Sequence, residues 1–166
     1  MRKLLYLFAL TAAACMWSAG ANAQVKFSGT CACKADKQQV LAVGDRDGHA
    51  LGSEQYKCDW TKPADFGGDK TKDGVATHTV EAQGPKSRFR GVHVVTTQSG
   101  DKVYLPYQGA GETSKDGKES HSKGTFTVAG GTGKLKGATG KGTFTCTSTT
   151  ADTSNCDVEG EYQAAK

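Results

Sequence analysis

Cysteine and histidine are the residues of this chain best equipped for chemistry, and their spacing argues for covalent staples rather than catalysis. Cysteines stand at Cys15, Cys31, Cys33, Cys58, Cys146 and Cys156, and histidines at His49, His78, His93 and His121. By type, Cys31, Cys33 and Cys58 with His49 could make up the four ligands of a structural zinc site. Such sites favour cysteine pairs separated by two or more residues, whereas only Ala32 parts Cys31 from Cys33. No metal is therefore expected, and nothing in the chain calls for an organic cofactor. The histidines are scattered, and no serine sits in a G-x-S-x-G elbow. Asp45-Arg46-Asp47-Gly48 lacks the length and the closing glutamate of an EF-hand loop. Glu159 and Glu161 share one strand face while Val158, Gly160 and Tyr162 take the other, which is solvent patterning rather than an acid–base pair. Arg88 and Arg90 alternate with Phe89 in the same manner and are expected on an exposed face. No catalytic residue can be assigned.

The elements that position these residues begin with the compartment. Arg2 and Lys3, an apolar run from Leu4 to Ala14, and the A-x-A site Ala21-Asn22-Ala23 read as a secretory signal over residues 1–23. The run is too short to anchor a helix across a bilayer, and no later stretch could cross one. Cleavage would leave a domain of residues 24–166, periplasmic or extracellular. Thr11-Ala12-Ala13-Ala14-Cys15 also fits a loose lipobox, which would instead anchor the protein through a lipid on Cys15. In an exported chain, disulfides are the default state of cysteine. Cys146 and Cys156 flank a polar stretch between two strands and can face each other across a hairpin. Cys58 is expected to pair with the first strand, with Cys31 preferred over Cys33. Five cysteines downstream of the leader leave one thiol over.

The rest of the chain reads as strands. Short runs rich in Thr, Val and Phe are broken by Asp47-Gly48, Asp73-Gly74, Gly84-Pro85, Ser99-Gly100 and Asp116-Gly117. The series runs Val25 to Cys33, His49 to Trp60, Val75 to Ala82, Ser87 to Thr97, Lys102 to Gln108, Ser120 to Ala129, Gly140 to Thr147 and Asp157 to Gln163. Residues 63–73 read as a polar loop, and Val40-Leu41-Ala42-Val43 as either a strand or a packed loop. No helix is expected. Spacing near ten residues argues for a barrel or a sandwich in one domain. The chain carries 21 basic and 17 acidic residues, and two of the basic ones fall in the leader. So balanced a charge gives no case for nucleic acid. Lys134, Lys136 and Lys141 lack interleaved aromatic residues and read as a solvated turn.

The densest signal is Gly124 to Gly142, GTFTVAGGTGKLKGATGKG. It fails the P-loop pattern, because Gly142 follows Gly140-Lys141, and fails the dinucleotide fingerprint, because Lys136 stands where the third glycine belongs. What is left is a strand–turn–strand corner built on Gly130, Gly131, Gly133, Gly137 and Gly140, with Phe126, Val128 and Phe144 facing inward. The segment from Phe126 to Gly140 resembles the glycine-rich segment of the allene oxide cyclase and dirigent barrel superfamily. It is closer still to small secreted bacterial proteins of that presumed fold. Leu135 stands where the pattern often has Phe. The resemblance implies an all-β, antiparallel, roughly eight-stranded barrel, here stapled by disulfides, and it transfers no catalytic residue.

Two classes of function are compatible with such a barrel. One is a non-enzymatic exported module holding a small apolar ligand, since small barrels can enclose one molecule. The other is a cyclase- or dirigent-type enzyme steering a reactive apolar substrate inside the barrel, as the resemblance implies. Lumen-facing polar residues that converge would favour the second. Nothing in the sequence sets an oligomeric state.

Overall fold

In a computed structural model describing residues 24–150 and 152–165, the chain closes into an antiparallel barrel of eight strands. Residues 1–23, the stretch read as a leader and containing Cys15, lie outside the described residues. The strands are β1 (Val25–Ala42), β2 (His49–Lys62), β4 (Asp69–Gln83), β5 (Lys86–Thr97), β6 (Lys102–Thr113), β7 (Ser120–Ala129), β8 (Thr139–Thr150) and β9 (Thr153–Gln163). A two-residue strand β3 (Asp65–Phe66) hangs on the start of β4. Each strand pairs with its neighbours in sequence, β2 pairs with β4 past the short β3, and β1 pairs with β9 to close the ring. Closure removes the unpaired edges that an open sheet would expose.

Period-two alternation turns one side of every strand inward. On β1 the buried residues are Phe27, Cys31 and Cys33; on β9 they are Cys156, Val158 and Tyr162. Aromatic residues on the inner face repeatedly stand opposite a glycine of the next strand. Phe27 faces Gly160, Phe89 faces Gly109, Phe126 faces Gly142 and Phe144 faces Gly124. A Cβ built on Gly109 would lie 2.7 Å from the Phe89 ring, and one on Gly160 would lie 2.9 Å from the Phe27 ring. The rings therefore lie flat over the neighbouring backbone instead of jamming the barrel axis.

One end of the barrel is packed shut. Phe27, Phe66, Phe126 and Tyr162 form an aromatic cluster there, with Phe27 and Phe66 ring centroids 4.4 Å apart. Phe66 belongs to the stretch read as a polar loop. It is buried because β3 folds back on β4 and drops this one apolar side chain onto the barrel end. The glycine corner seals the same end. Gly130, Gly133 and Gly137 have φ of 92°, 52° and 74°, and the intervening 3-10 turn, Gly133–Leu135, delivers buried Leu135. Thr132 ties the corner down by donating its Oγ1–H to Asp101 (3.0 Å) and accepting the Lys102 N–H (2.8 Å).

Two disulfides staple opposed residues of adjacent strands. Cys146 is bonded to Cys156 across β8 and β9, with Cα atoms 4.1 Å apart. Cys58 is bonded to Cys33, not to Cys31, with Cα atoms 4.0 Å apart. Register decides this. Cys33 stands directly opposite Cys58, while Cys31 stands opposite Trp60, and a displaced register on either side of the pair fixes the offset. In the chain-entropy picture, closing loops of this size contributes about 3 kcal/mol each.

The strand pattern makes the inner glycines sensitive to any side chain. A Cβ on Gly142 would enter the space of the Phe126 ring and the Glu159 carbonyl, and Gly130 occupies a conformation that β-branched residues avoid. Gly142→Val and Gly130→Val are each expected to cost on the order of 1–3 kcal/mol, read as a lowered denaturation midpoint. Gly68→Val, at a turn open to solvent, tests φ alone. A Gly142→Val protein as stable as the parent would contradict the ring-over-glycine packing.

Candidate functional site

The end opposite the glycine corner stays open. Behind it lies a cavity of about 410 Å³, within the range typical of small-molecule sites. Its walls are chiefly Tyr56, Trp60, Phe89, Tyr107, Phe126 and Phe144. Phe89, Tyr107 and Phe144 contact one another, with Tyr107 and Phe144 edge to face at 5.8 Å between centroids. Hydroxyl and charged groups rim the opening, among them Ser120, Ser148, Thr150, Glu112 and Lys118. The cavity thus grades from an aromatic floor to a polar mouth.

A hydrogen-bonded line crosses this wall. Glu54, His78 and Tyr107 come from β2, β4 and β6, and Glu54 stands directly opposite His78. His78 Nε2 lies 2.9 Å from Glu54 Oε2, and His78 Nδ1 lies 2.7 Å from the Tyr107 hydroxyl. A carboxylate can only accept, so Nε2 carries a hydrogen, and in the neutral imidazole Nδ1 then accepts from the Tyr107 O–H. Tyr56 donates a second hydrogen bond to the same Glu54 oxygen at 2.9 Å. The His78 hydrogen bond, helped by that of Tyr56, holds the Glu54 carboxyl below the usual range against the opposing effect of burial. Burial raises the Tyr107 phenol, with further contributions from Tyr56 and Glu54. Burial, and then the Glu54 charge, push Tyr56 up to about 12. Both phenols stay protonated at neutral pH. With its hydrogen committed to His78, Tyr107 keeps its oxygen lone pairs for a donor arriving in the lumen.

Deeper in the wall, the Trp60 and His93 rings are parallel within 8° at 6.4 Å between centroids. Trp60 Nε1 and His93 Nε2 are sealed from solvent and have no hydrogen-bond partner among the described residues. Burial pulls His93 down to about 4, so the ring is uncharged at neutral pH. Cys31 lies beside them, its Sγ 3.8 Å from that of Cys33. Burial, with the Asp157 charge, pushes its thiol up to about 12, which makes it a poor nucleophile.

The metal reading fails on geometry. Cys31, Cys33 and Cys156 gather their sulfurs within 4.8 Å, but Cys33 and Cys156 are committed to disulfides. His49 sits at the far end of β2 from Cys58, between Asp45 (2.5 Å) and Glu81 (3.2 Å). Arg88, Arg90 and Glu159 are exposed on the outer face, and the Lys141 ammonium lies 3.7 Å from the Glu161 carboxylate. Sequence reasoning did not single out Glu54, Tyr56, Trp60 or Tyr107, and it treated His78 as isolated. The available signal was the shared face of Glu54, Tyr56, Cys58 and Trp60 on one strand.

Acid should weaken this wall. His93 has a folded value of about 4 against 6.5 unfolded, so between those values the unfolded chain binds more protons and stability falls as pH drops. The integrated loss is about 3 kcal/mol. Glu54, lowered on folding, adds a further loss below its unfolded value near 4.5. Thermal denaturation from pH 7 to 4 should show a falling midpoint, and His93→Phe should flatten the upper part of that fall. An unchanged slope in His93→Phe would show that His93 is not buried neutral.

No protein family and no curated protein sequence matches the chain. Among solved structures, the chain is similar to a conserved protein of unknown function from Rhodopseudomonas palustris. The likeness has a TM-score of 0.47 and 11% identity, covering 84% of this chain and 98% of the other.

Proposed function

We propose that the protein is exported after cleavage behind Ala23 and that it binds one small, mostly apolar molecule in its lumen. The observation that carries this reading is the open cavity of about 410 Å³ with an aromatic floor and a polar mouth. A barrel evolved only as a structural unit would fill that end as densely as the glycine-corner end is filled, because voids forfeit packing energy. The two disulfides suit an oxidising, non-cytoplasmic compartment. No helix among the described residues is long and apolar enough to cross a membrane. A ligand with a flat apolar body would lie against Phe89, Phe144 and Trp60, and a hydroxyl or N–H on it would donate to Tyr107 Oη.

A second reading rests on Glu54, His78 and Tyr107. A ligand hydroxyl seated on Tyr107 would put its proton at the head of a path to His78, with Glu54 fixing the tautomer. The barrel would then be an enzyme of the acid–base type acting on an apolar substrate, as the barrel resemblance also suggests.

N-phenyl-1-naphthylamine, an uncharged aromatic probe that brightens in apolar surroundings, tests the binding reading. The protein is expected to bind it at one site per chain. Ala76→Phe, which fills the lumen from β4, should weaken binding at least about tenfold while the strand circular dichroism is kept. Glu54→Gln should leave probe binding within about twofold, since the probe needs no proton path. No binding, or binding indifferent to Ala76→Phe, would contradict a lumenal site.

A further inference from the structure

We propose that the molecule held in the lumen carries a protonated amine, which donates to Tyr107 Oη and balances the charge of Glu54. This deepens the binding reading above and rests on it. Glu54 lies on the inner face of β2, with its side chain 18% exposed. Its carboxylate accepts from His78 Nε2 and from the Tyr56 hydroxyl, both at 2.9 Å. Those hydrogen bonds, that of His78 first, hold it below the usual carboxyl range, so it is ionised at neutral pH. Among the described residues no lysine or arginine pairs with it. With the imidazole neutral, the cluster of Glu54, Tyr56, His78 and Tyr107 carries one uncompensated negative charge. An enclosed carboxylate is unfavourable until a cation joins it.

The hydrogen-bonded line brings that charge to the cavity wall, which His78 and Tyr107 help to form. The Tyr107 O–H points to His78 Nδ1 and the His78 Nε2–H points to Glu54, so both hydrogens run toward the carboxylate. Aligned bonds of this kind polarise one another, and the Tyr107 oxygen is left as the negative end. It can receive a hydrogen bond and has none to give. Around it stand rings set at steep angles. Tyr107 meets Phe89 at 64° and Phe144 at 87°, and Phe89 stacks on His78 at 5.2 Å between centroids. Aromatic faces attract an ammonium, most strongly where water is excluded. An uncharged hydroxyl would make the same hydrogen bond to Tyr107 but gain little from Glu54 or from the rings.

Charge along the cavity selects the ligand class. Lys118 is the one lysine or arginine among the described residues that line it, and it sits at the mouth with Asp116 3.9 Å away. Glu112 and Glu119 share that mouth. Deeper in, His93 is uncharged at neutral pH. A carboxylate or phosphate on the ligand would therefore meet the Glu54 charge with no cation to receive it. A ligand cation instead meets acidic groups at the entrance, which favour its approach, and a counter-charge within. The cavity of about 410 Å³ suits an arylalkylamine. Its flat apolar body would lie against Phe89 and Phe144, with the ammonium on Tyr107.

Displacement of N-phenyl-1-naphthylamine at about pH 8, where imidazoles are neutral and primary amines charged, compares three naphthalenes of like size. The amine 2-(1-naphthyl)ethylamine is expected to bind at least about tenfold more tightly than 2-(1-naphthyl)ethanol, and 1-naphthaleneacetate more weakly than either. Alcohol and amine can both donate to Tyr107, so the ratio of their affinities isolates the charge. Glu54→Gln keeps an oxygen to accept from His78 and Tyr56, and should bring that ratio to within about twofold. If this variant loses its strand circular dichroism, the ranking of the three ligands by the parent protein decides alone. An alcohol or an acetate bound as tightly as the amine would overturn the proposal and leave the lumenal site standing. A ratio unchanged in folded Glu54→Gln would overturn it too. Failure of all three to displace the probe would overturn both this proposal and the binding reading beneath it.

Discussion

The close approach of aromatic rings to inward-facing glycines governs this barrel. Eight strands enclose an interior only about wide enough for side chains to fill. Large rings aimed at the axis would collide. Here Phe27, Phe89, Phe126 and Phe144 each stand opposite a glycine and lie over its backbone. At the corner end this lets four rings cluster into a plug with Leu135 above them. At the other end, where nothing equivalent to Phe66 and Leu135 folds over, the same device leaves the centre open. The packed core and the cavity are therefore consequences of one rule applied to two unequal ends.

The disulfides follow from that ladder rather than from the loops. Both join directly opposed residues on the inner face, and Cys31 and Cys156 are also opposed across β1 and β9. A row of sulfur thus runs around the barrel wall at one level, near Trp60 and His93. The spare thiol is kept inert by burial. Below that row the interior is apolar. Above it, the Glu54–His78–Tyr107 line supplies polar side chains that hydrogen-bond to one another.

How much of this was legible in the sequence depended on distance along the chain. The strand series and the all-β barrel were readable, because alternation and Gly turns are local signals. Phe126, Val128 and Phe144 read correctly as inward-facing for the same reason. The partner of Cys58 was not readable, since Cys31 and Cys33 share a face and the choice turns on register displacements within β1 and β2. Phe66 was lost in a run of polar residues, and its burial depends on a two-residue strand that no periodicity announces. Of the cavity, the aromatic content was visible but the convergence was not. Glu54, His78 and Tyr107 are each ordinary in their own strand and become a line only when β2, β4 and β6 are wrapped around one lumen.

An aromatic lumen left open at one end, in a protein whose other end is sealed, is the central physical claim. Native mass spectrometry of the purified protein, incubated with a lipid extract of its host cells and sprayed without denaturation, tests it most directly. The account predicts a chain carrying two disulfides and one retained small molecule, released on gentle activation and absent from the denatured spectrum. A protein that stays unliganded across extracts, with an intact and oxidised barrel, would contradict a lumen kept open for a ligand.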